Sequence, residues 1–218
     1  VKIGATHAGV TVGEDGATHQ CNEDLALMRA IPGMVVMCPS DDIEAKAAVR
    51  AAVEYVGPVY IRFGRSAVPV INDNPDYKFE IGKGEVLQEG TDVAIIATGI
   101  MVPEAIEAGK TLAANGIKAR IINMATIKPI DADMVIKAAK ECGRIVTVEE
   151  CPVPLKRIGV NDEFGHSGPA ADLLKQFGLC ADNIVKVTTE FVGKTAAPKK
   201  AVAPIENVDV RLWLDSVK

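Results

Sequence analysis

Between Ala5 and Gln20 the chain reads ATHAGVTVGEDGATHQ, a segment that holds two of the three histidines of the whole sequence, His7 and His19. With them stand an acidic pair, Glu14 and Asp15, and the glycines Gly9, Gly13 and Gly16. Imidazoles exchange protons near neutral pH, carboxylates accept hydrogen bonds from hydroxyls, and glycines let the backbone approach a ligand closely or take a positive φ. The segment has no helical or strand period, so it reads as a polar binding loop. A lone histidine is more often structural than functional, but two in one glycine-rich loop with an aspartate point to a site. Asp15 precedes Gly16, a common turn pair, so turn formation and ligand contact both suit it. Glu14 is expected to face solvent or a neighbouring subunit. His166, in NDEFGHSG, is read as a structural or surface residue.

Composition bounds what this loop could serve. With 218 residues, 48% hydrophobic and 24% charged, the chain fits a globular α/β protein. A formal net charge of −5 argues against a general nucleic-acid binder, which needs a basic face to displace counterions. No apolar run approaches the roughly 20 residues of a membrane-spanning helix. No signal-peptide pattern opens the sequence, and a cytoplasmic location is expected. The cysteines Cys21, Cys38, Cys142, Cys151 and Cys180 are scattered without a C-x-x-C pair, so free thiols are expected rather than a zinc site or a disulfide framework.

The elements that must position the loop follow from apolar periodicity. VKIGA reads as a strand entering the loop, as in the later part of a longer domain. NEDLALMRAI reads as a short helix ending at Pro32-Gly33, MVVMCPS as a buried strand, and DDIEAKAAVRAAVEYV as an amphipathic helix capped by Ser40, with Asp41 and Asp42 in its acidic start. VYIRFGR is the next strand, within which Arg62 and Arg65 could both be surface cations. Met28, Met34 and Met37 are expected to fill core. AVPVINDNPDYKFEIGK breaks the pattern with prolines and Asn/Asp residues. Beyond it the alternation resumes with GEVLQEG, the strand TDVAIIATG, the helix MVPEAIEAGKTLAANG, the strand and exit loop KARIINMATIKPID, the helix ADMVIKAAKECG and the strand RIVTVEE. CPVPLKRIGV supplies a further short strand, and PAADLLKQFGL and ADNIVKVTTEFV supply helices. The pattern predicts an α/β protein of two consecutive domains with mainly parallel sheets flanked by helices. Residues 1–71 form the first, 72–82 a linker, 83–191 the second and 192–218 a tail.

At this level the sequence resembles the transketolases. The order T-H, G-E-D-G-x-T-H-Q, M-x-P-S-D and G-P-V-Y-I-R-x-x-R is similar to the second half of their pyrimidine-binding domain. Residues 83–191, with ATG closing one strand and IKPID after the next, resemble their C-terminal domain. The resemblance implies a thiamine-diphosphate-dependent enzyme that moves two-carbon ketol units between sugar phosphates. It implies that His7, Asp15 and His19 surround the sugar, with His7 and His19 catalytic, and that Arg65 binds the sugar phosphate. Bidentate grip on phosphate is what a guanidinium does well.

The same resemblance implies that thiamine diphosphate and Mg²⁺ are held mainly by residues outside this chain, because the cofactor-activating glutamate and the diphosphate-binding domain are not in it. A partner is then expected, a transketolase N-terminal subunit or domain, in a homodimer or heterotetramer. Two local departures stand out. Ala8 follows His7 where larger transketolases carry Asp, and VEECP at residues 148–152 lacks the glycine-rich helix found there in the family. A parallel strand normally needs a crossover of about a dozen residues, so residues missing at this point are the favoured explanation. The nearest alternative is a 1-deoxyxylulose-5-phosphate synthase-like part, which usually has Asp-Arg at Thr6-His7. The β-type subunit of pyruvate dehydrogenase lacks the G-E-D-G run. A non-catalytic scaffold of the same fold is a further alternative, against which His7, Asp15, His19 and Arg65 together speak.

Overall fold

The computed structural model describes residues 1–149, 156–158 and 167–193, and in it the chain builds two sheets. In the first, β1 (Lys2–Ala5), β3 (Val59–Arg62) and β2 (Val35–Met37) lie parallel in that order. β2 and β3 are buried along their whole length, as parallel strands covered on both faces must be. Their side chains alternate between two cores. Val36 and Tyr60 face Leu25 of α1 (Asp24–Ala30), whereas Val35, Met37, Val59 and Ile61 face Ala48 and Ala52 of α2 (Asp42–Glu54).

The expected cap of α2 shifts by one residue. Asp41, not Ser40, accepts the hydrogen bond from the Glu44 amide at 2.8 Å. Ser40 is buried and donates its hydroxyl to Glu44 Oε2 at 2.6 Å.

The second sheet runs in the order β4 (Glu85–Gln88), β6 (Ala119–Asn123), β5 (Val93–Ala97), β8 (Ile145–Val148) and β9 (Lys156–Ile158). Only β4 is antiparallel. α3 (Met101–Ala114) packs on one face with Leu173 of α5 (Ala170–Gln176) and Ile184 of α6 (Ala181–Gly193). α4 (Ala132–Cys142) covers the other through Ala138 and Cys142. β9 pairs parallel to β8, with Val146 opposite Lys156 and Val148 opposite Ile158.

The segment read as an exit loop after β6 is instead a strand. β7 (Thr126–Lys128) leaves the second sheet and pairs antiparallel with β2 of the first, Val36 opposite Lys128 and Met37 opposite Thr126. The connection between β3 and β4 carries no regular element, yet it is pinned. The Ile71 and Asn72 amides donate to Asp41 Oδ2 at 2.8 Å each, and Tyr77 donates to Glu44 Oε1 at 2.7 Å.

At the end of β5, between β6 and β8, lies the switch point where open α/β sheets customarily bind ligands. The first domain fills it. The Gly99 amide and the Thr98 hydroxyl donate to the Cys38 carbonyl, and a Cβ on Gly99 would lie 2.5 Å from Cys38 Sγ. Among the described residues no helix is long and apolar enough to cross a membrane. Among the described residues Cys21, Cys38, Cys142 and Cys180 form no disulfide. Cys151, His166 and nearly all of the tail lie outside the described residues.

Candidate active site

The loop after β1 is closed at its base. Ala8 forms a parallel bridge with Cys21, and the Gly9 amide donates to the Cys21 carbonyl at 2.9 Å. Between them Val10–Asp15 makes a 3₁₀ turn broken at Gly13, and the chain turns again at Gly16, both with positive φ. Val10 is fully buried and belongs to the core of the second domain, beside Leu173 and Phe177. The two glycines admit close neighbours from that domain. A Cβ on Gly16 would overlap the Ser167 hydroxyl, and one on Gly13 would lie 3.1 Å from the Gly168 carbonyl. The second domain therefore sets the position of the loop.

The result is a cleft of about 360 Å³ lined by Thr6, His7, Asp15, His19, Cys21, Asp24 and Tyr60, with Ala5, Ala8 and Val12 as its apolar wall. His7, Asp15 and His19 are exposed at its rim; Asp24 and Tyr60 are buried at its floor. His7 has a φ of 63°, a left-handed conformation that is strained for a residue with a side chain and that clusters at functional sites.

Both histidines follow a threonine that engages the same ring nitrogen. His7 Nδ1 lies 3.0 Å from Thr6 Oγ1, and His19 Nδ1 lies 2.9 Å from Thr18 Oγ1. In each case Nε2 is the nitrogen that can serve a ligand. Thr6 and Thr18 were not among the expected site residues, although the repeated Thr-His dipeptide is a signal that could have found them. Tyr60 carries no such signal, because its place on the loop-facing side of β3 is a consequence of strand pairing.

Arg65 stands beside the cleft rather than in its lining. Its Nη1 contacts the Val12 carbonyl and lies 3.1 Å from Glu14 Oε2 and 3.9 Å from Asp15 Oδ2. Glu14 is exposed, and its own backbone amide, then the Arg65 guanidinium, hold its carboxyl below the usual range. Arg62, in contrast to the surface position considered for it, is buried, with Nε 3.1 Å from Asp24 Oδ2. Three residues further along the chain, past the end of a strand buried on both faces, suffice to separate a core arginine from a half-exposed one. Tyr60 donates to the same Asp24 oxygen at 2.7 Å. Burial, then the neighbouring Asp24, push its phenol upward. Burial, followed by the charges of Glu23 and Asp24, raises the Cys21 thiol in the same way.

The class is that of α/β proteins with two sheet domains joined by a pinned connection and a histidine-rimmed cleft on a glycine-rich loop of the first. Residues 1–70 match the pyrimidine binding domain of transketolase and residues 82–155 match the transketolase C-terminal domain. The chain is 48% identical to a protein of Methanocaldococcus jannaschii named as a transketolase C-terminal section, over 89% of this chain and 67% of that protein. It is 40% identical to one subunit of the apulose-4-phosphate transketolase of Phocaeicola vulgatus, over 89% and 68%. It is 36% identical to 1-deoxy-D-xylulose-5-phosphate synthase 1 of Geobacter sulfurreducens, over 93% of this chain but 35% of that one. Among solved structures a split-gene transketolase, an inactive β4 tetramer, superposes with a TM-score of 0.80 at 45% identity, covering 88% of this chain and 67% of that one. The chain belongs to the transketolase family.

That family uses thiamine diphosphate. Among the described residues no group of three His, Cys, Asp or Glu side chains is arranged to hold a metal ion.

Proposed function

We propose that this chain is the C-terminal part of a thiamine-diphosphate-dependent transketolase, transferring a two-carbon ketol unit between sugar phosphates once completed by a subunit or domain that binds the cofactor diphosphate with Mg²⁺. The observation that carries the reading is the meeting of His7, Asp15 and His19 on one cleft, with Arg65 reached through Asp15. Histidine nitrogens at a rim can move protons to and from substrate hydroxyls near neutral pH. Asp15 accepts from a hydroxyl, and the Arg65 guanidinium takes the terminal phosphate. The subunit and split-gene names of its relatives support a partner and an oligomer.

Calorimetry tests this directly. The isolated chain should bind thiamine diphosphate feebly with Mg²⁺ present, and adding the diphosphate-binding subunit should create both cofactor binding and ketol transfer. Micromolar binding by the chain alone would refute the division of labour. The match to 1-deoxy-D-xylulose-5-phosphate synthase favours a second reading. Formation of 1-deoxy-D-xylulose 5-phosphate by the completed enzyme is the outcome that would select it.

A further inference from the structure

The floor of the cleft holds a carboxylate whose two oxygens are used unequally. Asp24 is only 5% exposed. Its Oδ2 accepts from the Tyr60 hydroxyl at 2.7 Å and faces Arg62 Nε at 3.1 Å. Its Oδ1 is buried and receives no hydrogen bond from any described residue. Buried polar atoms in folded proteins are nearly always paired, so an orphan acceptor on a residue that lines a cleft invites a donor from a ligand.

The surroundings narrow the donor. The charge of Asp24 is already matched by Arg62, so a neutral donor fits better than a second cation. Ala5, Ala8 and Val12 form the apolar wall of the same cleft. The volume of about 360 Å³ suits a small ligand.

We propose that Asp24 is a substrate-binding, specificity-determining residue whose Oδ1 accepts a hydrogen bond from a sugar hydroxyl at the cleft floor. His7 and His19 stand at the rim above it, and Arg65 takes the phosphate end. This inference rests on the sugar-phosphate reading of the cleft given above and deepens it. A buried site built to pair a hydroxyl discriminates strongly against a ligand without one, because its acceptor is then left unmatched.

The test compares two probes by calorimetric titration of the chain, ribose 5-phosphate and butyl phosphate, an ester of similar reach with no hydroxyl. Asp24→Asn should weaken ribose 5-phosphate by about tenfold to a hundredfold, the range for a hydrogen bond to a charged group, and leave butyl phosphate unchanged. Because that variant removes a charge paired with a buried arginine, Cys21→Leu serves as the second. It fills the cleft beside Asp24 while keeping both charges of the Asp24–Arg62 pair, and it should produce the same selective loss. Retained preference for ribose 5-phosphate in Cys21→Leu, or in an Asp24→Asn protein that melts cooperatively, overturns the role of Asp24 and leaves the sugar-phosphate reading intact. No preference for ribose 5-phosphate over butyl phosphate in the unsubstituted chain overturns both.

Discussion

Arg65 Nη1 lies 3.1 Å from Glu14 Oε2, with Asp15 Oδ2 at 3.9 Å, so the guanidinium beside the cleft is already held by the acidic pair of the loop. The Arg65 and Glu14 side chains are 37% and 64% exposed, and water screens the pair. Glu14, Asp15 and the Val12 carbonyl all engage Nη1, so a phosphate on Arg65 either displaces Glu14 or binds the same guanidinium beside it, and in both cases the two anions compete for one cation.

From that competition follow two opposite kinetic effects in the completed enzyme. Arg65→Ala should raise KM for phosphorylated sugars by roughly tenfold to a hundredfold while changing kcat little, the mark of lost uniform binding. Glu14→Gln should lower the same KM by about twofold to fivefold, as expected for removing an exposed competitor. Steady-state kinetics with phosphorylated and unphosphorylated acceptors checks both. Equal KM values for the two acceptor classes in the unsubstituted enzyme would count against the role of Arg65.

The paired Thr-His contacts predict a graded series. His19→Ala should lower kcat by about 10² to 10⁴, the range for loss of a general acid–base group. Thr18→Val keeps the imidazole but removes the partner of Nδ1 at 2.9 Å. A fall of about tenfold is expected, with a displaced pH profile, since the second nitrogen sets which tautomer faces the ligand. A Thr18→Val enzyme with an unchanged pH profile would show that the hydroxyl does not orient the ring.

Stability should hinge on Glu44, which is 2% exposed. It accepts from the Ser40 amide and hydroxyl, from Tyr77 and from Asn123 Nδ2 at 2.9 Å, joining α2, the interdomain connection and β6. Glu44→Ala leaves those donors buried without an acceptor and should cost about 3–5 kcal/mol in urea unfolding. Asn123→Ala should cost less, and the two should be non-additive because they share a contact. Strict additivity would mean that the domains are held together elsewhere.

Glu149, just after β8, supplies a pH dependence. Burial pushes its carboxyl up to about 7, against the pull of Arg62 and Arg29. The folded state then holds the proton more tightly than the unfolded chain, whose carboxyl titrates at an ordinary value near 4.5. Stability present below that value is lost as pH rises through about 7. Glu149→Gln removes this loss, so its melting temperature should exceed that of the unsubstituted protein at pH 8 and equal it at pH 4. The same difference at both pH values would place the effect in packing rather than titration.

Much of this was legible in the chain itself. The runs VVM, VYIR and VAIIA are short, apolar and bounded by turn residues, and burial on both faces of a parallel sheet asks for nothing more. The helices of DDIEAKAAVRAAVE and MVPEAIEAGKTLAA follow from amphipathic spacing, and the glycine-rich loop with His7, Asp15 and His19 from residue chemistry alone. These are local signals, carried within a dozen residues, and local geometry is enough to satisfy them.

Only the tertiary structure decided what depends on residues far apart in sequence. TIK reads as an exit loop until it finds a free edge at β2, and the linker reads as loose until its amides meet Asp41. Arg62 and Arg65 look alike in sequence. One is buried against Asp24, which lies across the sheet on another helix, and the other is left at the surface beside Glu14 and Asp15. The loop itself owes its place to Val10, whose buried neighbours are in the second domain. Backbone hydrogen bonds and burial are satisfied by whichever distant partner the fold supplies, and a carboxylate such as Asp24 becomes a cleft floor only when Tyr60 and Arg62 arrive beside it.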